Sequence, residues 1–251
     1  MKLRVVLDLE GRDVYWQMAI DEALLALRSR GEIPSTLRLY RFKPSAVTIG
    51  YFQKISEAVN LEFLSERGIQ FTRRITGGGS VYHDTNGEIT YSVILPVEGA
   101  LTDVLESYRI ICSGLVYALR KLGAPAEFVP VNDVVVYGRK ISGSAQTRRA
   151  GYLLQHGTLM YATDLDTLER ALVAPREKLE SKGIRSIRER VIVLREVISE
   201  INVEKLVESL VDGFSRALSA EVYYDELSES ELRVAGELVE KYRNPSWIFK
   251  R

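Results

Sequence analysis

One cysteine, Cys112, stands in the 251-residue sequence. That excludes an internal disulfide and any metal site built from several thiolates. Neither sign of charge is in excess, with Lys+Arg and Asp+Glu at 34 each. A neutral chain is a poor general binder of nucleic acid or of an anionic membrane, because both need a positive field. No apolar run approaches the ~18 residues of a membrane span. The start, Met1-Lys2-Leu3-Arg4, meets charge too early for a signal peptide. A cytoplasmic protein with no nucleic-acid or membrane partner is therefore expected. Internal repeats and low-complexity tracts are missing too. Asn and Gln total only 10, and Arg outnumbers Lys 24 to 10, a leaning shared with heat-adapted proteins.

What is present is ample material for a core: 46% hydrophobic and 27% charged residues. This length fits one large α/β domain or two small ones. No composition break marks a linker, so residues 1–251 are expected to form a single domain. Residues 13–30 read as a helix, with Asp13 as N-cap and Gly31 as its end. Strands are expected at 37–42, 46–50, 69–74, 88–95 and 152–161, and a short helix at 57–67. Val104, Leu105, Tyr108, Ile111, Cys112, Leu115, Val116, Leu119 and Leu122 recur at 3–4 spacing, one continuous face of a helix over 103–122. Residues 134–136 and 140–142 read as a hairpin turning at Tyr137-Gly138. Helices near 164–172, 202–219 and 228–242 follow, with a basic loop at 176–190 between the first two. The strands come in hairpins and pairs rather than βαβ repeats. That pattern predicts an α/β fold of the α+β type, a mixed, largely antiparallel sheet flanked by helices.

Two segments carry chemistry. The first is Arg73-Arg74-Ile75-Thr76-Gly77-Gly78-Gly79-Ser80-Val81-Tyr82-His83-Asp84. Three consecutive glycines pack nothing and cost backbone entropy. They suit either a tight turn or a loop whose amides approach an anionic ligand closely. Arg73 and Arg74 are either solvated or bidentate donors to that anion. The Gly-Lys-Ser/Thr ending of a P-loop is missing, and so is the dinucleotide spacing. The second segment is the hairpin with Lys140, followed by Ile141-Ser142-Gly143-Ser144-Ala145. Small residues leave space, and a lysine beside space meets a ligand as a point charge. The alternative is a plain exposed hairpin lysine. His156, within Leu153-Leu154-Gln155-His156-Gly157-Thr158, is more simply a satisfied core histidine than a catalytic one.

Taken together these segments resemble the lipoate–protein ligase A family, within the biotin/lipoate ligase superfamily. The matching residues begin with Met18-Ala19-Ile20-Asp21-Glu22-Ala23-Leu24-Leu25 and Leu37-Arg38-Leu39-Tyr40. Ile49-Gly50 with Gln53, the 73–84 run, Asn132-Asp133, 138–145 and Gln155-His156-Gly157-Thr158 follow in order. Lys182-Gly183-Ile184, Ser186 and Arg190-Val191 complete the likeness, which covers about 15–195. The resemblance implies a fold shared with biotin ligases and class II aminoacyl-tRNA synthetases. It implies an ATP-dependent ligase that makes lipoyl-adenylate and passes the lipoyl group to a carrier lysine. Carried over, Arg74, Gly79, Ser80, Val81, Tyr82 and Lys140 would hold ATP. Gly77, Gly78, Lys140, Gly143, Ser144 and Ala145 would hold lipoate. Lys140 would be the catalytic cation, and Asp133 would help bind Mg²⁺. The implied partners are lipoyl carrier domains, either the glycine cleavage H protein or a 2-oxoacid dehydrogenase E2. A separate small accessory subunit is also implied, because single-chain relatives carry a further C-terminal domain. Residues 240–251 would then be a docking tail, unless they pack back onto the sheet.

The departures point elsewhere. Thr85-Asn86-Gly87 reverses the family's usual Gly-Asn order, and Glu88-Ile89-Thr90-Tyr91-Ser92 is closer to the octanoyltransferase relatives. Those relatives move octanoate from acyl carrier protein through a cysteine thioester, without ATP. Their cysteine is expected in the loop before Asn132, which here reads Ala124-Pro125-Ala126-Glu127-Phe128-Val129-Pro130-Val131. With no thiol there, the ligase is the expected activity. The alternatives are an octanoyltransferase and a catalytically silent accessory module.

Overall fold

The computed structural model describes residues 1–173 and 186–251. The basic loop expected at 176–190 lies mostly outside the described residues, as does Lys182-Gly183-Ile184.

The first strand, β1 (Lys2–Arg12), enters the core at once through Leu3 and Val5. Helix α1 (Val14–Ser29) begins where the Asp13 carboxylate accepts from the amides of Tyr15 and Trp16, satisfying two of the helix's open donors. Strands β2 (Thr36–Phe42) and β3 (Ala46–Ile49) follow, then α2 (Leu61–Glu66) and β4 (Gln70–Arg73). Beyond the glycine loop come β5 (Val81–His83) and β6 (Glu88–Pro96). Helix α3 (Val104–Lys121) leads to β7 (Ala126–Val129), β8 (Asp133–Val136), β9 (Arg139–Arg149) and β10 (Tyr152–Met160). The rest is α4 (Leu165–Ala171), α5 (Ile187–Arg190), α6 (Val203–Ala217), β11 (Glu221–Tyr224), α7 (Glu229–Arg243) and α8 (Pro245–Ile248).

Eight strands form one sheet in the order β11-β1-β2-β6-β10-β9-β8-β7. The β11–β1 and β1–β2 pairs are parallel and the remaining pairs antiparallel. A small sheet, β4-β3-β5, stands beside it. This is the mixed, largely antiparallel sheet flanked by helices that the pairing pattern called for.

Each face of the large sheet buries a helix pair. On one face α3 and α6 cover Leu37, Tyr91, Val93 and Leu153. Their approach depends on two glycines. A Cβ at Gly114 would sit 2.7 Å from the Phe214 ring, and one at Gly213 would overlap the Gly114 carbonyl. On the other face α1 and α7 cover Tyr40, Ile94 and Leu154. A third apolar cluster joins the small sheet to α2 and α4. The C-terminal segment packs back here: Trp247 Nε1 donates to the Arg73 carbonyl at 2.7 Å, and Arg73 Nη2 donates to the Ile248 carbonyl at 2.8 Å. Phe249 remains 48% exposed. Among the described residues no helix is long and apolar enough to cross a membrane.

Candidate active site

Between the glycine loop, β9, β10 and α4 lies a cavity of about 240 Å³. Its apolar wall includes Met18, Val81, Met160, Leu168 and Leu172, and its polar end includes Lys140, Asn132, Ser144, Arg190 and the Gly78-Gly79-Ser80 backbone. Of the expected site residues, Arg74, Gly78, Gly79, Ser80, Val81, Tyr82, Lys140, Gly143, Ser144 and Ala145 line it. Gly77 and Asp133 do not.

Lys140 follows a tight turn in which Tyr137 and Gly138 both have positive φ, 51° and 74°, as a two-residue hairpin requires. The β8–β9 register shifts between Val134 and Val135. This irregularity lets Lys140 fold over Gly143, two strand positions that would otherwise face apart. A Cβ at Gly143 would overlap both Nζ and Cε of Lys140. The glycine therefore makes room for the lysine rather than for an acyl tail. Lys140 Nζ lies 2.6 Å from Asp133 Oδ1, and Arg190 Nη2 lies 3.3 Å from Asp133 Oδ2. With both its oxygens on cations, Asp133 does not fit the expected Mg²⁺ role. Among the described residues no group of three His, Cys, Asp or Glu gathers to hold a metal.

Arg74 is buried, and burial lowers its pKa to about 10. Its Nη2 donates to the carbonyls of Gly77 and Gly79, each at 2.6 Å. In a trans peptide the next N–H points opposite to the carbonyl. The amides of Gly78 and Ser80 therefore face away from the guanidinium, and neither has a protein acceptor among the described residues. Such a run of free amides is an anion-accepting surface.

His156 is a polar anchor: Nδ1 lies 2.9 Å from Asp21 Oδ2 and Nε2 lies 2.7 Å from Thr76 Oγ1. Burial pushes the His156 pKa down, against the opposing hydrogen bond and charge of Asp21. Asp21 in turn sits below the usual carboxylate range. Burial would raise it, but His156 and Arg38 outweigh that. Asp21, Thr48, Thr76, His83 and Glu88 join into a connected set that the sequence motifs do not display. The available signal was an acidic residue on the apolar side of α1, between Ile20 and Leu24.

Cys112 is fully buried on α3, behind the cavity wall, with Sγ 3.5 Å from Ser144 Oγ. Burial pushes its thiol up to about 11, so it stays protonated and is a poor nucleophile.

The cavity thus has an apolar end and an anion-accepting end, the latter carrying Lys140, Arg190 and the free loop amides. The family model "Lipoyl protein ligase A/B catalytic domain" matches residues 13–215, and the chain belongs to that family. Octanoyltransferase LipM of Kyrpidia tusciae is 38% identical, covering 94% of this chain and 94% of the relative; several other bacterial relatives carry the same name. Among solved structures, a bi-partite lipoate protein ligase of Thermoplasma acidophilum superposes with a TM-score of 0.85 at 33% identity, covering 99% of this chain and 96% of that one. A lipoate-protein ligase A bound with ATP gives 0.86 at 31% identity, covering 99% of each chain.

The octanoyltransferase relatives overturn the expected ATP-dependent ligase, and leave the expected ATP, adenylation and Mg²⁺ without support in this chain. The ligase expectation rests on the absence of a cysteine at 124–131, which does not decide the activity. The cavity, Lys140 and the amide loop do not depend on a residue in that segment.

Proposed function

We propose that this chain moves an octanoyl group from an acyl carrier protein thioester to a lysine of a lipoyl carrier domain, without ATP. One observation carries the reading of how: Lys140 and the free loop amides share a cavity with no thiol in it, since Cys112 is buried and held protonated. The two substrates then react directly. The carrier-domain amine attacks the thioester carbonyl, the C–N bond forms and the C–S bond breaks. The nitrogen sheds one proton and the departing thiolate takes one up. The carbonyl oxygen gains negative charge on the way, and the Lys140 ammonium with the Gly78 and Ser80 amides stabilises it where water is scarce. Holding donor and acceptor together supplies the rest of the acceleration.

The acceptor class follows from the family and from the archaeal neighbour, which is described together with its E2 lipoyl domain. The glycine cleavage H protein and a 2-oxoacid dehydrogenase E2 both present such a lysine. The experiment mixes the purified chain, octanoyl-loaded acyl carrier protein and an unmodified carrier domain in chelator, with no nucleotide. Mass spectrometry should show one octanoyl amide on the carrier. Product formed only after ATP is added overturns the reading. Run with the chain alone, the same assay tests whether a small accessory subunit is dispensable.

A further inference from the structure

Arg74 lies at the meeting point of two buried hydrogen-bond chains. On one side its Nε donates to Thr76 Oγ1 at 3.0 Å, Thr76 meets His156 Nε2 at 2.7 Å, and His156 Nδ1 meets Asp21 at 2.9 Å. On the other its Nη1 donates to Thr48 Oγ1 at 3.3 Å, Thr48 meets His83 Nε2 at 2.9 Å, and His83 Nδ1 meets Glu88 at 2.7 Å. The two arms have the same composition, carboxylate–histidine–threonine, and they come from the glycine loop and five separate elements, α1, β3, β5, β6 and β10. Each of the seven residues is at most 6% exposed.

Counting donors shows what the arrangement does. A guanidinium has five N–H donors. Arg74 directs one to Thr76, two to the Thr48 hydroxyl and carbonyl, and two to the Gly77 and Gly79 carbonyls. None remains for an outside anion, so the role expected for Arg74 against a phosphate does not suit its geometry. Each threonine hydroxyl accepts from Arg74 and so turns its single proton to a histidine Nε2. Each histidine then presents Nδ1–H to its carboxylate. Every group in the set has one consistent role, which fixes the rotation of the guanidinium and, through it, the direction of the loop carbonyls.

We infer that Thr48, Thr76, His83 and His156 are positioning residues: through Arg74 they aim the free amides of the glycine loop at the acyl oxygen. The aim at an acyl oxygen rests on the transfer reading above; the hold on the loop does not. Neither histidine touches substrate in this scheme. Removing a threonine hydroxyl frees one N–H of Arg74 and lets the loop turn. A misplacement of about 1 Å costs on the order of 10²-fold in rate, and it falls on kcat because the amides act on developing charge.

The test uses the full chain with Thr76→Val and Thr48→Val, which keep side-chain shape, and Thr76→Ser and Thr48→Ser, which keep the hydroxyl. Octanoyl transfer should fall on the order of 10²-fold in kcat for each valine variant, with KM little changed, and the serine variants should recover it. Backbone NMR order parameters at Gly77–Ser80 are read in parallel, with hydrogen exchange at the strand amides of β6 and β10 as the check on folding. The proposal predicts lower loop order parameters in Thr76→Val, restored in Thr76→Ser, with β6 and β10 still protected. Order parameters unchanged in both valine variants overturn it, and so does a kcat loss that serine fails to restore. Because the relaxation experiment needs no substrate, it decides the matter even for a chain that uses a different acyl donor.

Discussion

Placing a methyl group on Gly143 separates the chemical role of Lys140 from its structural one. In Gly143→Ala the new Cβ overlaps Nζ and Cε of Lys140, so the ammonium must leave its place at 2.6 Å from Asp133. Removing one charged or polar donor from a developing oxyanion costs about 10²–10³ in kcat, or about 2.7–4 kcal/mol. The lysine is displaced rather than deleted, so the lower figure, about 10²-fold, is expected. Stability should barely respond. The Lys140–Asp133 side chains are 27% and 17% exposed, Arg190 still pairs with Asp133, and a pair this open to solvent contributes at most about 1 kcal/mol. The assay is octanoyl transfer to the carrier domain, with thermal denaturation alongside. The decisive measurement repeats Gly143→Ala in a Lys140→Ala background. With the lysine side chain gone the collision disappears, so the second substitution should cost little and the pair should be strongly non-additive. Equal losses in the two backgrounds would refute the reasoning.

Cys112→Ala should keep its transfer activity and lose about 1 kcal/mol of stability, the order for one methyl-sized group removed from a core; an octanoyl thioester trapped on Cys112 would instead establish a covalent route. Gly213→Ala should destabilise the fold by about 1–3 kcal/mol, more than the ~1 kcal/mol that alanine gains in a helix, because its Cβ overlaps the Gly114 carbonyl across the α3–α6 contact; a raised melting temperature would contradict that packing. His156 has a lowered pKa in the fold, so the stability tied to its neutral form is present above the unfolded value of ~6.5 and is lost as pH falls from there through the folded value. The ring faces Asp21 from α1, and the Arg74 charge also reaches it. The urea midpoint should therefore fall between pH 7 and 5 more steeply in the natural protein than in His156→Gln, and equal slopes would count against the assignment.

Local pattern was enough for much of this protein. The 3–4 spacing from Val104 to Leu122 places α3 within a residue, because helix periodicity is written in neighbouring residues. Asp13 marks the start of α1, Tyr137-Gly138 the hairpin, and three glycines the loop. Strands β5, β7 and β11 went unseen, since three or four residues are too few to show an alternation. The eleven-residue β1 was missed too; its parallel partners β2 and β11 lie 34 and 219 residues away in the chain. The sequence also displayed Lys140, Arg74 and the missing loop cysteine, but not what they touch. Only the tertiary structure decided that Gly143 exists to admit Lys140, that Asp133 is taken by two cations, and that Arg74 has no donor left over. Thr76 and His156 are 80 residues apart, and His156 and Asp21 are 135 apart. A hydrogen bond depends on distance and direction between atoms, and over such separations both are set by how the sheets and helices pack, which no local spacing records.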